Sequence, residues 1–205
     1  THLGAWVHAT YNSGRRNTVL FLGAHLYAKE RENSRGVVLF RSDDLGDSWC
    51  DVSGTPVETP TRYHDAVMIP HPTPGRFCGV AADPDGNPWV LTATKDTGNP
   101  AVLLSRWCNG NWESDDLARW FPTGWVCDYP TLSVGTDGTI FVAAAATPSK
   151  VAPEEVWGHP THEVFLLSST DGGGRFSCEM VSDGDPNVAN WLPALSHGGI
   201  YHPVD

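Results

Sequence analysis

An octapeptide, Ser42-Asp43-Asp44-Leu45-Gly46-Asp47-Ser48-Trp49, leaves this chain few folds to choose from. Its pattern is Ser-x-Asp-x-Gly-x-x-Trp. It returns as Ser169-Thr170-Asp171-Gly172-Gly173-Gly174-Arg175-Phe176, with Phe at the aromatic position. Each position has a physical task. Ser and Asp side chains bond backbone groups inside a tight turn. The Gly takes a positive φ that other residues resist. The aromatic ring leaves the turn and packs into the core, fixing the hairpin to its sheet. Each copy follows an apolar run, residues 36–41 and 163–168. Such a turn is scaffold. Ser42, Asp44, Gly46 and Trp49 in the first copy, and Ser169, Asp171, Gly173 and Phe176 in the second, are expected to be structural.

The runs around the octapeptides set an order. Residues 4–10 and 18–28 read as strands, joined by a turn at Asn12-Ser13-Gly14. A charged loop, 29–35, leads to a strand over 36–41, then the first octapeptide, then a return strand Cys50-Asp51-Val52. The order repeats with strands 77–82, 88–94 and 101–106. It repeats again with strands 131–135, 139–146 and 163–168. Between the two clear octapeptides, Ser105 to Trp112 keeps the Ser and the final Trp but lacks the Asp. Ser42 to Ser105 is 63 residues and Ser105 to Ser169 is 64. A fixed period of this kind marks a radial repeat. The expected fold is all-β, a β-propeller of four-stranded antiparallel blades. The units run over residues 4–60, 61–118 and 119–183, with 188–205 opening a fourth.

Composition limits the function classes. The 205 residues include nine Trp, 21 Gly and 16 Pro, which favours many turns and few long helices. The net charge of −11 argues against nucleic acid as a partner, because no basic stripe is available to displace counterions. An anionic ligand would need a local cluster of Arg, Lys or His. No apolar run reaches the ~20 residues of a membrane-spanning helix. The chain opens on Thr1, so its start is expected to be trimmed, and no signal peptide is visible. The five cysteines, Cys50, Cys78, Cys108, Cys127 and Cys178, are odd in number and lack a CxxC pair. Buried free thiols or a single disulfide both fit, and the compartment is not fixed by them.

The octapeptides and their surroundings resemble the Asp-box, or bacterial neuraminidase, repeats of sialidase-like propellers. Ser42 to Trp49 followed by Gly54-Thr55-Pro56-Val57, the run Gly79 to Pro88, and Asn190-Trp191-Leu192-Pro193 look similar to a neuraminidase-repeat branch that includes uronate polysaccharide lyases and rhamnosidases. The resemblance covers nearly the whole chain. It implies a ring of six or seven blades, of which about three and part of a fourth are present. The remainder of the propeller or a partner chain is then expected to complete it. It implies a glycan ligand, uronate- or sialate-containing, and lyase or glycosidase chemistry without a cofactor. It also suggests an extracellular or periplasmic location. Sialidases carry an Arg before an Ile-Pro pair; here the only such pair is Met68-Ile69-Pro70, without that Arg. The rival class is a non-catalytic glycan-binding or protein-interaction module.

In such propellers the ligand face lies opposite the Asp-box turns. That rule selects three loops, and the shorter loop Lys95-Asp96-Thr97-Gly98-Asn99 and the charged stretch 29–35 would line the same face. The first holds Arg62, Tyr63, His64 and Arg76. Tyr and His can move protons and Arg can neutralise a carboxylate, which is what a uronate lyase requires. A plain surface turn with Tyr63 packed and His64 solvated is the alternative. The second loop holds Trp125 as a sugar platform, and Asp128 and Tyr129 as an acid and a hydroxyl group; a capped strand start is the alternative. The third runs from Thr147 to His162 and contains Lys150, Glu154, Glu155, Trp157, His159 and His162. Its length favours binding. His159 and His162 have HxxH spacing, but the further ligands of a metal site are not visible, so no metal is expected. Tyr63, His64, Arg76, Asp128, Tyr129 and His159 are the catalytic candidates. Arg62, Lys95, Asp96, Trp125, Trp157 and His162 are the binding candidates.

Overall fold

The computed structural model describes residues 7–12, 19–27, 34–58, 68–69, 75–94, 101–148, 158–185 and 187–195. Twelve strands among them form three four-stranded antiparallel sheets, each in simple chain order. The first holds β1 (Val7–Asn12), β2 (Val19–Tyr27), β3 (Ser34–Ser42) and β4 (Met68–Ile69). The second holds β5 (Gly75–Ala82), β6 (Pro88–Thr94), β7 (Val102–Cys108) and β8 (Asn111–Asp116). The third holds β9 (Trp125–Val134), β10 (Ile140–Pro148), β11 (Glu163–Ser169) and β12 (Ser177–Met180). β5 lies beside both β1 and β9, so the first strands of successive sheets are neighbours. The molecule is all-β, and these sheets are blades of a propeller.

Burial follows the pleat. Along β11 every second residue is buried, with Phe165 and Leu167 turned to the second blade. Those two join Leu91, Val102, Leu104, Leu117, Val142 and Phe176 in a core shared by blades two and three. A smaller core, Leu39, Val52, Val80, Ala82 and Val90, joins blades one and two. In β10 the run Ala143 to Ala146 is buried throughout, which small side chains permit. A single 3-10 turn, Leu117–Trp120, leads from blade two to blade three, and the Asp116 carboxylate accepts from the Ala118 N–H at its start.

The two octapeptide turns share one bonding pattern. In the first, Ser42 Oγ donates to Asp44 at 2.7 Å and accepts from the Gly46 N–H at 2.8 Å. Asp44 also accepts from the Ser48 N–H at 2.9 Å. In the second, Ser169 Oγ donates to Asp171 at 2.8 Å and accepts from the Gly173 N–H at 3.0 Å, and Asp171 accepts from the Arg175 N–H at 3.0 Å. Ser42 and Ser169 are both buried. The rings differ in place. Phe176 enters the core between blades, whereas Trp49 is half-buried and donates Nε1–H to the Gly46 carbonyl at 3.1 Å.

Two expectations change. The Ser105–Trp112 segment is a tight hairpin, not a weakened copy of the octapeptide. Asn109 and Gly110 take φ of 51° and 78°, the double positive φ of a two-residue turn that Asn-Gly favours. Trp112 then faces Trp107 across the strands, ring centroids 5.4 Å apart, and Ser105 reaches Ser114 at 2.8 Å. Of the expected return strand Cys50-Asp51-Val52 only Cys50 pairs with β3, exchanging both backbone bonds with Arg41 at 2.8 Å; the fourth strand is Met68–Ile69, paired with Val38 and Val37. Asp51 accepts from the N–H groups of Ser53 and Thr55, an alternative to ladder bonding that curls the chain. Residues 187–195 hold no strand and fold back on blade three, and the rest of the expected fourth unit, 196–205, lies outside the described residues.

Two tests follow from this architecture. Leu91 is fully buried between blades, so Leu91→Ala is expected to cost about 2–5 kcal/mol, measured by urea unfolding. Leu45→Ala, at an exposed turn position, should stay within about 0.5 kcal/mol. The second test concerns acid. Hydrogen bonds from the Ser48 hydroxyl and N–H and from Ser42 hold the Asp44 carboxyl at about 2, below its ordinary 3.8. Asp171 and Asp137 are lowered likewise, chiefly by the Arg175 and Thr139 N–H groups. A depressed carboxyl contributes stability above its unfolded value and loses it as pH falls through the folded value. Stability is therefore expected to decline as pH falls from about 3.8 toward about 2, and Asp44→Asn to flatten that slope in unfolding midpoints measured against pH.

Candidate functional site

Blade three has two ends of different character. The turn at Gly135–Thr139 and the second octapeptide lie at one end. At the other end, β9 begins, β10 finishes and β11 begins: Trp125 pairs with Pro148, and Ala146 with Glu163. Near that second end β9 carries a bulge. Asp128 pairs with Ala145 and Thr131 with Ala143, so Tyr129 and Pro130 stand opposite Ala144 alone. A bulge leaves one residue unpaired and re-aims its side chain.

Tyr129 takes φ of +47°, in the left-handed region. Among the described residues, four that are not Gly do so: Leu45, Asn109, Tyr129 and Leu192. Leu45 and Asn109 sit in turns that call for it. Tyr129 and Leu192 are tied to one contact, in which the Tyr129 ring meets that of Trp191, the neighbour of Leu192, edge-on at 6.1 Å. Left-handed backbone at such residues costs on the order of 1–3 kcal/mol and persists where the surroundings impose it.

Trp191 rests on residues at the entrance to β11. Its ring stacks on His162 at 6.4 Å, and its six-membered ring lies over Gly158, where an added Cβ would meet it at 3.5 Å. His162 is fully buried. Its Nδ1 faces the His159 carbonyl at 3.2 Å; a carbonyl only accepts, so Nδ1 carries the proton. His159 is half-buried and has the opposite arrangement. Its Nδ1 accepts from the Thr161 N–H at 3.2 Å and lies 2.8 Å from the Thr161 hydroxyl. The neutral His159 ring therefore carries its proton on Nε2.

Beside His162 lies a buried carboxylate, Glu163. Its Oε2 accepts a hydrogen bond from Ser182 Oγ and one from Asn190 Nδ2 at 3.4 Å. Ser182 Oγ in turn accepts from the Val164 N–H at 2.9 Å, and the Asn190 N–H donates to the His162 carbonyl at 3.0 Å.

The structure sorts the sequence candidates. Tyr129, His159 and His162 come together at the loop end of blade three. His162 supports the site from beneath, since full burial withholds its ring from a ligand. Trp125 and Asp128 lie in β9, not in a loop. Trp125 turns inward, edge-on to Phe165 at 5.1 Å, which suits a core ring better than a sugar platform. Arg76 lies in β5, paired with Ala93. Arg62, Tyr63, His64, Lys95, Asp96 and Trp157 lie outside the described residues. Trp191, Glu163, Ser182 and Asn190 were not among the site candidates. The one local signal was the run Asn190 to Pro193; the approach of Trp191 to Tyr129 is a long-range contact with no local signature. No His/Cys/Asp/Glu group able to hold a metal ion occurs among the described residues.

No protein-family profile and no curated protein sequence matches the chain. Solved structures do. A protein of unknown function from Dyadobacter fermentans aligns over 85% of this chain and 50% of its own, with TM-score 0.52 and 12% identity. A xylan β-1,4-xylosidase from Bacillus halodurans aligns over 86% of this chain and 30% of its own, with TM-score 0.47 and 14% identity. Trypanosoma rangeli sialidase aligns over 84% and 29%, with TM-score 0.45 and 12% identity. The chain thus spans half or less of each of these three structures. The resemblance is distant and concerns the fold.

The strain at the site is open to measurement. Leu192 is 51% exposed and left-handed, so Leu192→Gly relieves the backbone at little packing cost. Thermal or urea unfolding is expected to show a gain of up to about 1 kcal/mol, while Leu192→Ala, which keeps the strain, shows none.

Proposed function

We propose that this chain belongs to a carbohydrate-active propeller that binds an acidic glycan at the loop end of its blades and cleaves it by lyase or glycosidase chemistry. The observation that carries this reading is the Tyr129–Trp191 ring pair, with left-handed backbone at Tyr129 itself and at Leu192, at the end of blade three opposite the octapeptide turn. Partly exposed aromatic rings offer a sugar an apolar face together with a polar edge. His159, whose carbonyl meets the His162 ring under Trp191, has an Nε2–H as its donor, and the Tyr129 hydroxyl is a proton donor or acceptor. In this reading Tyr129, His159 and Asp128, with Tyr63, His64 and Arg76 from the neighbouring blade, form the reacting group. Arg62, Lys95, Asp96 and Trp157 hold the polymer. Arginine neutralises the uronate carboxylate, a base takes the adjacent ring proton, and an acid protonates the leaving oxygen.

A second reading, a glycan-binding module without catalysis, is favoured by one feature. Among the described residues the cations in ion pairs are Arg41, Arg106 and Arg119, and Arg106 and Arg119 line a groove beside the second octapeptide turn, away from the Tyr129–Trp191 pair. The two readings separate on incubation with uronate polysaccharides. Catalysis is expected to release unsaturated sugars, seen as ultraviolet absorbance, and Tyr129→Phe to slow that release by roughly 10²–10⁴-fold with glycan binding retained. Binding without any released sugar would leave the module reading standing and end the catalytic one.

A further inference from the structure

We propose that Glu163 is a positioning residue that fastens the segment 182–191 to the entrance of β11 and thereby sets Trp191 against Tyr129. The proposal rests on the glycan reading only for what Trp191 is used for. A carboxylate with 4% of its surface exposed has given up most of its water, and replacing that water takes specific donors. Among the described residues Glu163 has two, and both come from the segment that carries Trp191: the Ser182 hydroxyl and the Asn190 amide. The bonding extends into the backbone on either side. Ser182 Oγ takes the Val164 N–H, which continues β11, and the Asn190 N–H closes onto the His162 carbonyl. The Val181 N–H meets the Val164 carbonyl at 2.8 Å, so the segment leaves β12 along this same path. Asn190 immediately precedes Trp191, and its amide also bonds the Val188 carbonyl and Asp183, which closes the segment into a loop around the carboxylate.

Over 187–195 the arrangement goes with turn bonding rather than a ladder: the Val188 N–H meets the Asp185 carbonyl and the Asn190 N–H the His162 carbonyl. The same arrangement explains how the left-handed backbone at Leu192 is imposed, with the chain pinned at Asn190 just upstream and Trp191 seated on His162 and Gly158. A charged acceptor suits this task because bonds to a carboxylate are stronger than neutral ones.

The test uses fluorotryptophan-labelled protein, in which the Trp191 resonance is the one lost in Trp191→Phe. Glu163→Ala is expected to move or broaden that resonance and to speed amide exchange across 182–191, while exchange in β6 stays slow. Glu163→Gln, whose carbonyl oxygen still accepts from Ser182 and Asn190, is expected to restore both. With oligogalacturonate as the probe, and neutral xylo-oligosaccharide as its control, Glu163→Ala should weaken binding about tenfold and Glu163→Gln by less than about twofold. An unmoved Trp191 resonance in Glu163→Ala overturns the proposal. So does a resonance that moves equally in the Ala and Gln variants. If the resonance responds as expected but neither oligosaccharide perturbs it in the unmodified protein, the positioning role stands and the glycan reading fails.

Discussion

Two adjacent residues, Val90 and Leu91, are both fully buried, and they face opposite ways. Val90 packs with Leu39 and Val52 of blade one, and Leu91 with the core shared by blades two and three. A strand alternates its side chains across the sheet, so a strand buried at consecutive positions must be covered on both faces. Everything else in the architecture depends on this. A sandwich would cover one face of each sheet. Covering both faces of blade two requires a sheet before it and a sheet after it. The first strands then gather side by side, and the loops separate to two ends.

The octapeptide turn keeps that stack in register. In blade three it reaches across to blade two: Gly173 lies over Trp89, where an added Cβ would stand 3.3 Å from the ring, and Arg106 donates to the Gly172 carbonyl at 3.3 Å. The same guanidinium lies over the Trp89 ring and pairs with Glu113. Gly173 therefore has two reasons to be Gly, its φ of +87° and the neighbouring blade. The turn end is thereby committed to holding blades together. At the opposite end a bulge and two left-handed residues converge on one pair of rings.

Most of the fold was legible in the sequence, for local reasons. Hydrophobic runs and the turn chemistry between them are properties of short segments, so β6 was placed to the residue and β11 to within one. Errors fell where local chemistry had two outlets. Asn109-Gly110 formed its own two-residue turn in place of the octapeptide. Asp51 bonded the backbone following it, and the fourth strand of blade one moved to Met68–Ile69. β9 began at Trp125, ahead of the expected start, because Pro130 lies in a bulge, where the ladder does not need its missing N–H.

The site was less legible, and the reason is physical. Tyr129 and His159 were identifiable because Tyr and His at a blade's loop end are chemically able residues. Whether a ring faces a ligand or a core depends on packing between segments far apart in the chain. Trp125 and Trp191 look alike as residues; one turns in to Phe165 and the other lies against Tyr129. The sequence by itself determined the strand pattern, the turn chemistry and the repeat, since each rests on the conformational preferences of a few neighbouring residues. Only the tertiary structure decided which aromatic ring stands at the site. That outcome depends on a buried carboxylate drawing two distant polar groups to itself, a long-range balance of desolvation and hydrogen bonding that no local pattern records.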